Sequence, residues 1–235
     1  MPRNRARSAA SGVAAVFCMA AWSCGIDTIS FLSADPKVTS NSSSQIIFTG
    51  ADTDDDNYYG VELFYKIYAT ESDATTDRSY IISKQNATGV VPGSIVESYI
   101  LPSSGLSYQR PVLNDTNDIP SIPKSLLPNS AYFVSMDFPA KSTVEPTVTI
   151  TNGDTGAIVK AYTLKRNALS ATGSRHLSFL EEPIAGAADF RSRATDADGA
   201  YYVQFFAASY GMDYSDFSEL YGDAVFLGGL ITLNF

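Results

Sequence analysis

Few side chains in this sequence are of the types that do chemistry, and their spacing narrows them further. There are two cysteines, Cys18 and Cys24, and one histidine, His176. Zinc sites draw several ligands from His and Cys, so His176 does not build one alone. No G-x-S-x-G surrounds a serine that could pair with it, and neither a P-loop nor a dinucleotide glycine fingerprint occurs. Glu181 and Glu182 are adjacent and would point apart on a strand, which does not suit paired acid–base work. The expectation is no catalytic residue, no enzyme and no cofactor. The run DTDDDN puts Asp52, Asp54, Asp55 and Asp56 on one stretch. Calcium favours several carboxylate oxygens on a flexible loop, so Asp52, Asp54 and Asp56 form a candidate metal site. The spacing departs from an EF-hand, because the twelfth position from Asp52 is Leu63, not Glu. A solvated loop between strands is the plainer reading. Asp196 and Asp198 in TDADG mark a turn.

Cys24 is the residue with the clearest chemistry. Arg3, Arg5 and Arg7 precede the apolar or small run AASGVAAVFCMAAW, Ala9 to Trp22. That is a positive n-region followed by an h-region of secretory length, too short to span a bilayer at roughly 20 residues. Ala21 and Ser23 are the small residues a signal peptidase needs at the third and first positions before its cut. Cleavage after Ser23 makes Cys24 the new N-terminus, a residue that lipid can modify on sulfur. Each buried acyl methylene contributes about 0.8 kcal/mol, and several chains on one residue hold firmly. Cys18 leaves with the signal, so the mature chain has a single cysteine. An exposed lone thiol is a liability outside the cytoplasm, and lipidation removes it. AAWSCG resembles the lipobox of bacterial lipoproteins. It departs from the common form in having Ala21 where Leu is usual and Trp22 before Ser23. SCGIDT is similar to the mature N-termini of spirochaete-type lipoproteins, whose lipoboxes are looser. The resemblance implies palmitate-type acylation at Cys24 and a place in the bacterial cell envelope, with membrane and face open. Ordinary secretion, with a cut after Ala20 or Ala21, is the alternative.

Removing the three signal arginines takes 16 basic residues to 13 against 25 acidic ones, a net charge of −12. Nucleic acid is excluded as a partner, since its binding relies on clustered Lys and Arg. With 14 Tyr, 13 Phe and many Ser and Thr, the composition says β. Residues 24–36 read as a flexible tether and 37–235 as the domain. QIIFT, Gln45 to Thr49, reads as a strand. In GVELFYKIYA, Val61, Leu63, Tyr65 and Ile67 share one face, and Glu62, Phe64, Lys66 and Tyr68 the other, a period of two. Further strand candidates are 79–84, 95–101, 108–113, 132–138, 144–151 and 157–165. In 200–209, Tyr201, Val203, Phe205 and Ala207 share a face, and 224–235 is the last candidate. One short helix is expected at 214–221, capped by Ser215. Many short strands between turn signals predict a sandwich or barrel.

FTGADTDDDNYYGVELFYKIY resembles the second strand, loop and third strand of fibronectin type III domains. YYVQFFAASYGMDYSDFSELYGDAVFLGGLITL resembles their closing hairpin, and FFAASYGMD is similar to segments of spirochaete lipoproteins of unassigned role. Together they cover about a third of the chain. The resemblance implies an all-β, enlarged fibronectin-III/immunoglobulin-like β-sandwich with an insertion at roughly 86–130, preceded by a signal peptide at 1–23. Such a fold carries no chemistry of its own. It does place the loops 51–59 and 210–223 at one end. There Tyr58, Tyr59, Asp213, Tyr214 and Phe217, with Tyr221, Asp54, Asp55 and Asp216 around them, form a candidate ligand-binding surface. Tyrosine combines contact area with a polar tip. The alternative is that these tyrosines fold down onto the core. The expected role is a lipid-anchored binding or structural module, its partner another envelope or host protein besides the membrane. Two other classes stay open: a secreted or envelope enzyme, and an outer-membrane β-barrel. For the barrel, Val225, Leu227, Ile231, Leu233 and the terminal Phe235 alternate.

Overall fold

A strand with apolar side chains on both faces has to be covered twice, and β3 (Tyr58–Tyr68) is such a strand. The computed structural model describes residues 32–114, 118–119, 121–139, 144–169, 176–191 and 200–235. Cys24, the signal stretch, Asp196 and Asp198 lie outside the described residues. In chain order the strands are β1 (Lys37–Asn41), β2 (Gln45–Thr49), β3, β4 (Val112–Asn114), β5 (Asp118–Ile119) and β6 (Ser121–Pro123). There follow β7 (Tyr132–Asp137), β8 (Thr147–Asn152), β9 (Ile158–Leu169), β10 (His176–Ser178) and β11 (Phe190–Arg191). The last are β12 (Ala200–Met212), β13 (Glu219–Tyr221), β14 (Val225–Phe226) and β15 (Ile231–Asn234). One α-helix, α1 (Glu71–Gln85), and a π-helical turn (Val96–Ile100) lie between β3 and β4.

These strands form two sheets. The first runs β1-β2-β7-β8-β9-β4-β5, with β10 on β9; the second runs β11-β3-β12-β13, with β14 and β15 on β12 and β6 on β3. The pairs are antiparallel except β11 on β3. The fold is therefore mostly β, a sandwich of two antiparallel sheets. In the second sheet, β13, β14 and β15 share one edge of β12 end to end. Very short edge strands leave little backbone open for pairing with another chain.

Val61, Leu63, Tyr65, Ile67, Val203, Phe205 and Ala207 meet Ile46, Phe48, Val134, Met136, Val148 and Ile150 of the first sheet in the main core. The period of two read in GVELFYKIYA thus holds. The opposite face is not solvated. Phe64, Tyr68, Phe206 and Ala208 pack under Ile81 of α1 and Ile95, Val96, Ile100 and Tyr108 in a second core. Residues 86–130, expected as an insertion, supply part of this cover as well as β4 and β5 to the first sheet and β6 to the second.

Three expectations are corrected. Residues 79–84, expected as a strand, belong to α1, and 95–101 form the π-helical turn. The helix α1 buries Asp73, Ala74, Asp77 and Ile81, so its inward face is half polar and carries no apolar stripe. Its start is set locally: Thr70 caps it by accepting a hydrogen bond from the Asp73 N–H at 3.2 Å, with Glu71 and Asp73 in the first turn. The helix expected at 214–221 is a turn followed by β13.

Buried charges tie the layers together. Asp77 of α1 accepts from the Tyr68 hydroxyl at 3.0 Å and from Arg191, with the Lys66 ammonium 3.8 Å away. Burial pulls the Lys66 ammonium below its ordinary range, against the opposing pull of Asp77. The Tyr108 hydroxyl stands 2.7 Å from that of Tyr68 and donates to Gln204 at 2.6 Å. Between the sheets, Arg166 and Asp189 are both fully buried. Arg166 Nε and Nη2 donate to the two carboxylate oxygens of Asp189 at 2.7 and 2.9 Å. Tyr65 donates to the same carboxylate at 2.7 Å and accepts from the Asn167 N–H at 2.8 Å.

Candidate binding surface

The loop leading into β3 and the turn joining β12 to β13 converge because β3 and β12 pair along their length, with Tyr210 opposite Gly60 and Gly211 opposite Tyr58. A bulge falls between those two pairs. Gly211 is required there, since a β-carbon on it would lie 1.9 Å from the Asn57 carbonyl oxygen. That carbonyl accepts from the Met212 N–H at 3.1 Å, closing the two loops together.

The turn is built by its own aspartates. Asp213 Oδ1 accepts from the Ser215 N–H at 2.7 Å, and Asp216 Oδ1 from the Ser218 N–H at 2.8 Å. The Phe217 N–H donates to the Asp213 carbonyl at 2.8 Å. Short polar side chains that satisfy the backbone this way favour turns over helix. Phe217 has φ +62°, a left-handed conformation that costs a bulky residue about 1–2 kcal/mol. Its ring is 73 % exposed, and Tyr214 is 54 % exposed.

Tyr59 bridges the two loops. Its hydroxyl donates to that of Tyr214 at 2.7 Å, and this bond raises the Tyr59 phenol above its ordinary range. Its ring stands edge-on to Tyr214 and to Tyr210, each at 6.2 Å. Tyr210 in turn contacts Tyr221 at 5.7 Å, and Tyr221 contacts Phe64 at 6.3 Å. A chain of rings thus runs from the exposed tip into the second core. Behind it, Arg110 Nε donates to Glu62 at 2.6 Å and Arg110 Nη2 to Tyr221 at 2.5 Å. Tyr221 donates toward Glu62 at 3.2 Å and Glu219 at 3.0 Å. Burial raises the Glu62 carboxyl, and Arg110 opposes the shift. One guanidinium serves both carboxylates, so the group works as a brace under the loops.

Of the residues expected at this surface, Tyr59, Asp213, Tyr214 and Phe217 come together. Tyr58 does not join them: it is buried with Leu32, Ala51 and Leu220, and burial pushes its phenol up to about 12. Tyr221 is also buried. Tyr210 and Arg110 belong to the site and were not expected from sequence. For Tyr210 the signal was there, as it continues the alternation of β12; for Arg110 there was none.

Asp52, Asp54 and Asp56 are exposed, and Asp55 Oδ1 accepts from the Asn57 N–H at 2.9 Å. Among the described residues no three of His, Cys, Asp and Glu come together in a way that could hold a metal ion, so a calcium site here has no geometric support. His176 is half-buried in β10 opposite Leu169. Glu181 and Glu182 face different partners, the Ser178 N–H at 2.9 Å and the Tyr201 hydroxyl at 2.7 Å.

The N-terminal end of the described chain is fastened to the same place. Leu32 packs with Tyr58 and Leu220, and Ser209 donates to the Ala34 carbonyl. Asp35 accepts from the Asp223 N–H at 2.9 Å. Its carboxyl is raised to about 6, first by burial and then by the Asp223 charge, against that hydrogen bond.

Compared with protein-family models, curated proteins and solved structures, the chain matches none. Among the described residues no helix is long and apolar enough to cross a membrane.

Proposed function

We propose that this chain is an envelope lipoprotein, acylated at Cys24 after removal of residues 1–23, whose β-sandwich acts as a binding module. In this reading the tether is residues 24–31, because the chain is packed from Leu32 onward. The partner is met at the aromatic, acidic end formed by Tyr59, Asp213, Tyr214 and Phe217. The observation that carries this choice is Phe217, a large apolar side chain held outward in a strained backbone at a turn where glycine is the easier residue. The pairing of β1, β2 and β7 in one sheet and of β3, β12 and β15 in the other supports a fibronectin-III-like plan, enlarged by β8, β9 and the cover over β3.

Intact-mass analysis of the membrane fraction tests the anchor, comparing wild type with Cys24→Ala. The expected wild-type chain begins at Cys24 and carries acyl mass, and the variant stays unprocessed or leaves the membrane. An unmodified chain beginning at Ala21 or Trp22 would overturn the anchor and make the protein a secreted one.

A further inference from the structure

The tip of the β12–β13 hairpin turns its largest side chains outward, Phe217 at 73 % and Tyr214 at 54 % exposure. Tyr59 stands beside them, hydroxyl to hydroxyl with Tyr214. Asp213 and Asp216 lie in the tip itself. The chain that comes from Cys24 enters the domain under this same hairpin. Leu32 packs on Leu220, with its Cδ1 3.3 Å from where a β-carbon on Gly211 would lie. From Gly211 to the tip is about 10 Å of strand. Residues 25–31 separate Leu32 from Cys24, so Cys24 lies at most about 28 Å from the base of the hairpin along an extended chain. A lipid on Cys24 would hold the base of the hairpin within about 28 Å of the bilayer surface, near enough for the tip to reach it.

We infer that the hairpin end docks on the bilayer that holds the anchor, and that its ligand is a zwitterionic phospholipid surface. The inference rests on the reading of Cys24 as the lipid-bearing residue. Phe217 reaches the acyl boundary, while the Tyr59 and Tyr214 hydroxyls stay at headgroup level, where amphipathic aromatic rings are favoured. The carboxylates choose the headgroup. Anionic lipid repels Asp213 and Asp216, whereas the ammonium end of a zwitterionic headgroup meets both carboxylates and ring faces. The strained backbone at Phe217 serves that purpose, since it aims the ring away from the domain.

The sequence supplies a clean reporter. Its one tryptophan, Trp22, and Cys18 both leave with the signal, so the mature chain has no tryptophan and a single cysteine. Every residue of the two main cores lies within 31–235, so the chain from Cys24 onward keeps all of them. Phe217→Trp is introduced, and Cys24 is coupled to a maleimide-bearing lipid in phosphatidylcholine vesicles, which fixes the chain whether or not cells acylate it. The expected emission moves to shorter wavelength and loses intensity to lipids brominated near the headgroup. Both effects shrink when phosphatidylglycerol is mixed in. Emission that stays water-like on phosphatidylcholine overturns the docking and leaves the hairpin end to a soluble protein partner. Equal burial on anionic vesicles overturns the headgroup assignment. The acyl mass on Cys24 from cells is read separately, and its absence overturns the anchor and the docking with it, whatever the fluorescence.

Discussion

Arg166 and Asp189 meet two-pronged, at 2.7 and 2.9 Å, with both side chains closed to solvent. Asp189 also receives the Tyr65 hydroxyl from the centre of the main core. Removing one member of such a pair strands the other as a buried charge, at a cost of about 3–5 kcal/mol. Asp189→Ala is therefore expected to lower the free energy of urea unfolding by that amount, read from the midpoint and the m-value. Replacing both, as Arg166→Met with Asp189→Leu, is expected to cost much less, because no charge is left unpaired. Equal losses in the single and double variants would refute the account.

The helix α1 is held by charge more than by apolar area. Asp77 serves Tyr68, Arg191 and Lys66 at once. Asp77→Asn is expected to cost about 2–4 kcal/mol. Hydrogen exchange separates a local from a global loss: the amides of 71–85 are expected to lose protection before those of β3 and β12 do.

Stability between pH 4 and 7 reports on Asp35. Its folded carboxyl sits near 6 and its ordinary value is 3.8, so the folded state binds the proton more tightly. The stability it contributes is full below about pH 4 and is lost as pH rises through about 6. Asp35→Asn keeps an acceptor for the Asp223 N–H and removes the charge. Denaturant midpoints at several pH values are expected to show that slope in the wild type and a flatter one in the variant, with the variant the more stable at pH 7.

Phe217→Gly is expected to stabilise the domain. Relief of the left-handed backbone returns about 1–2 kcal/mol, and the freer unfolded chain takes back about 0.5–1. The ring packs on little, so a net gain of roughly 0.5–1 kcal/mol in urea unfolding follows. A loss instead would mean that Phe217 holds the turn together.

The strands that form the main core were readable because one side of each is apolar at every second residue, as in Val61 to Ile67 and Val203 to Ala207. The helix α1 was not, because Asp73 and Asp77 occupy the face that periodicity expects to be apolar. Its capping signal, Thr70 with Asp73 three residues on, was present in the sequence and outweighed by the β-branched and aromatic run around Tyr80. At 214–221 the spacing suits a helix, but Asp213 and Asp216 spend their side chains on turn backbone. The convergence of Tyr59, Tyr214 and Phe217 was legible from the order of strands and loops. The burial of Tyr58 was not, since it depends on Leu32, which lies in the stretch read as tether. The pairing of Arg166 with Asp189 joins residues far apart in sequence whose types alone suggest a solvated surface.

β3 and β12 share an unbroken register from Tyr68 opposite Tyr202 to Gly60 opposite Tyr210, yet the chain between Tyr68 and Ala200 is over half of the whole. Both cores are laid down on this one ribbon. The loop must close before either core gains from it, and closure of long loops makes folding slow. The late strands β13, β14 and β15 then add by short-range steps along the free edge of β12. During synthesis from the N-terminus, this spine cannot zip until β12 has emerged, so both cores wait for a chain that is nearly finished.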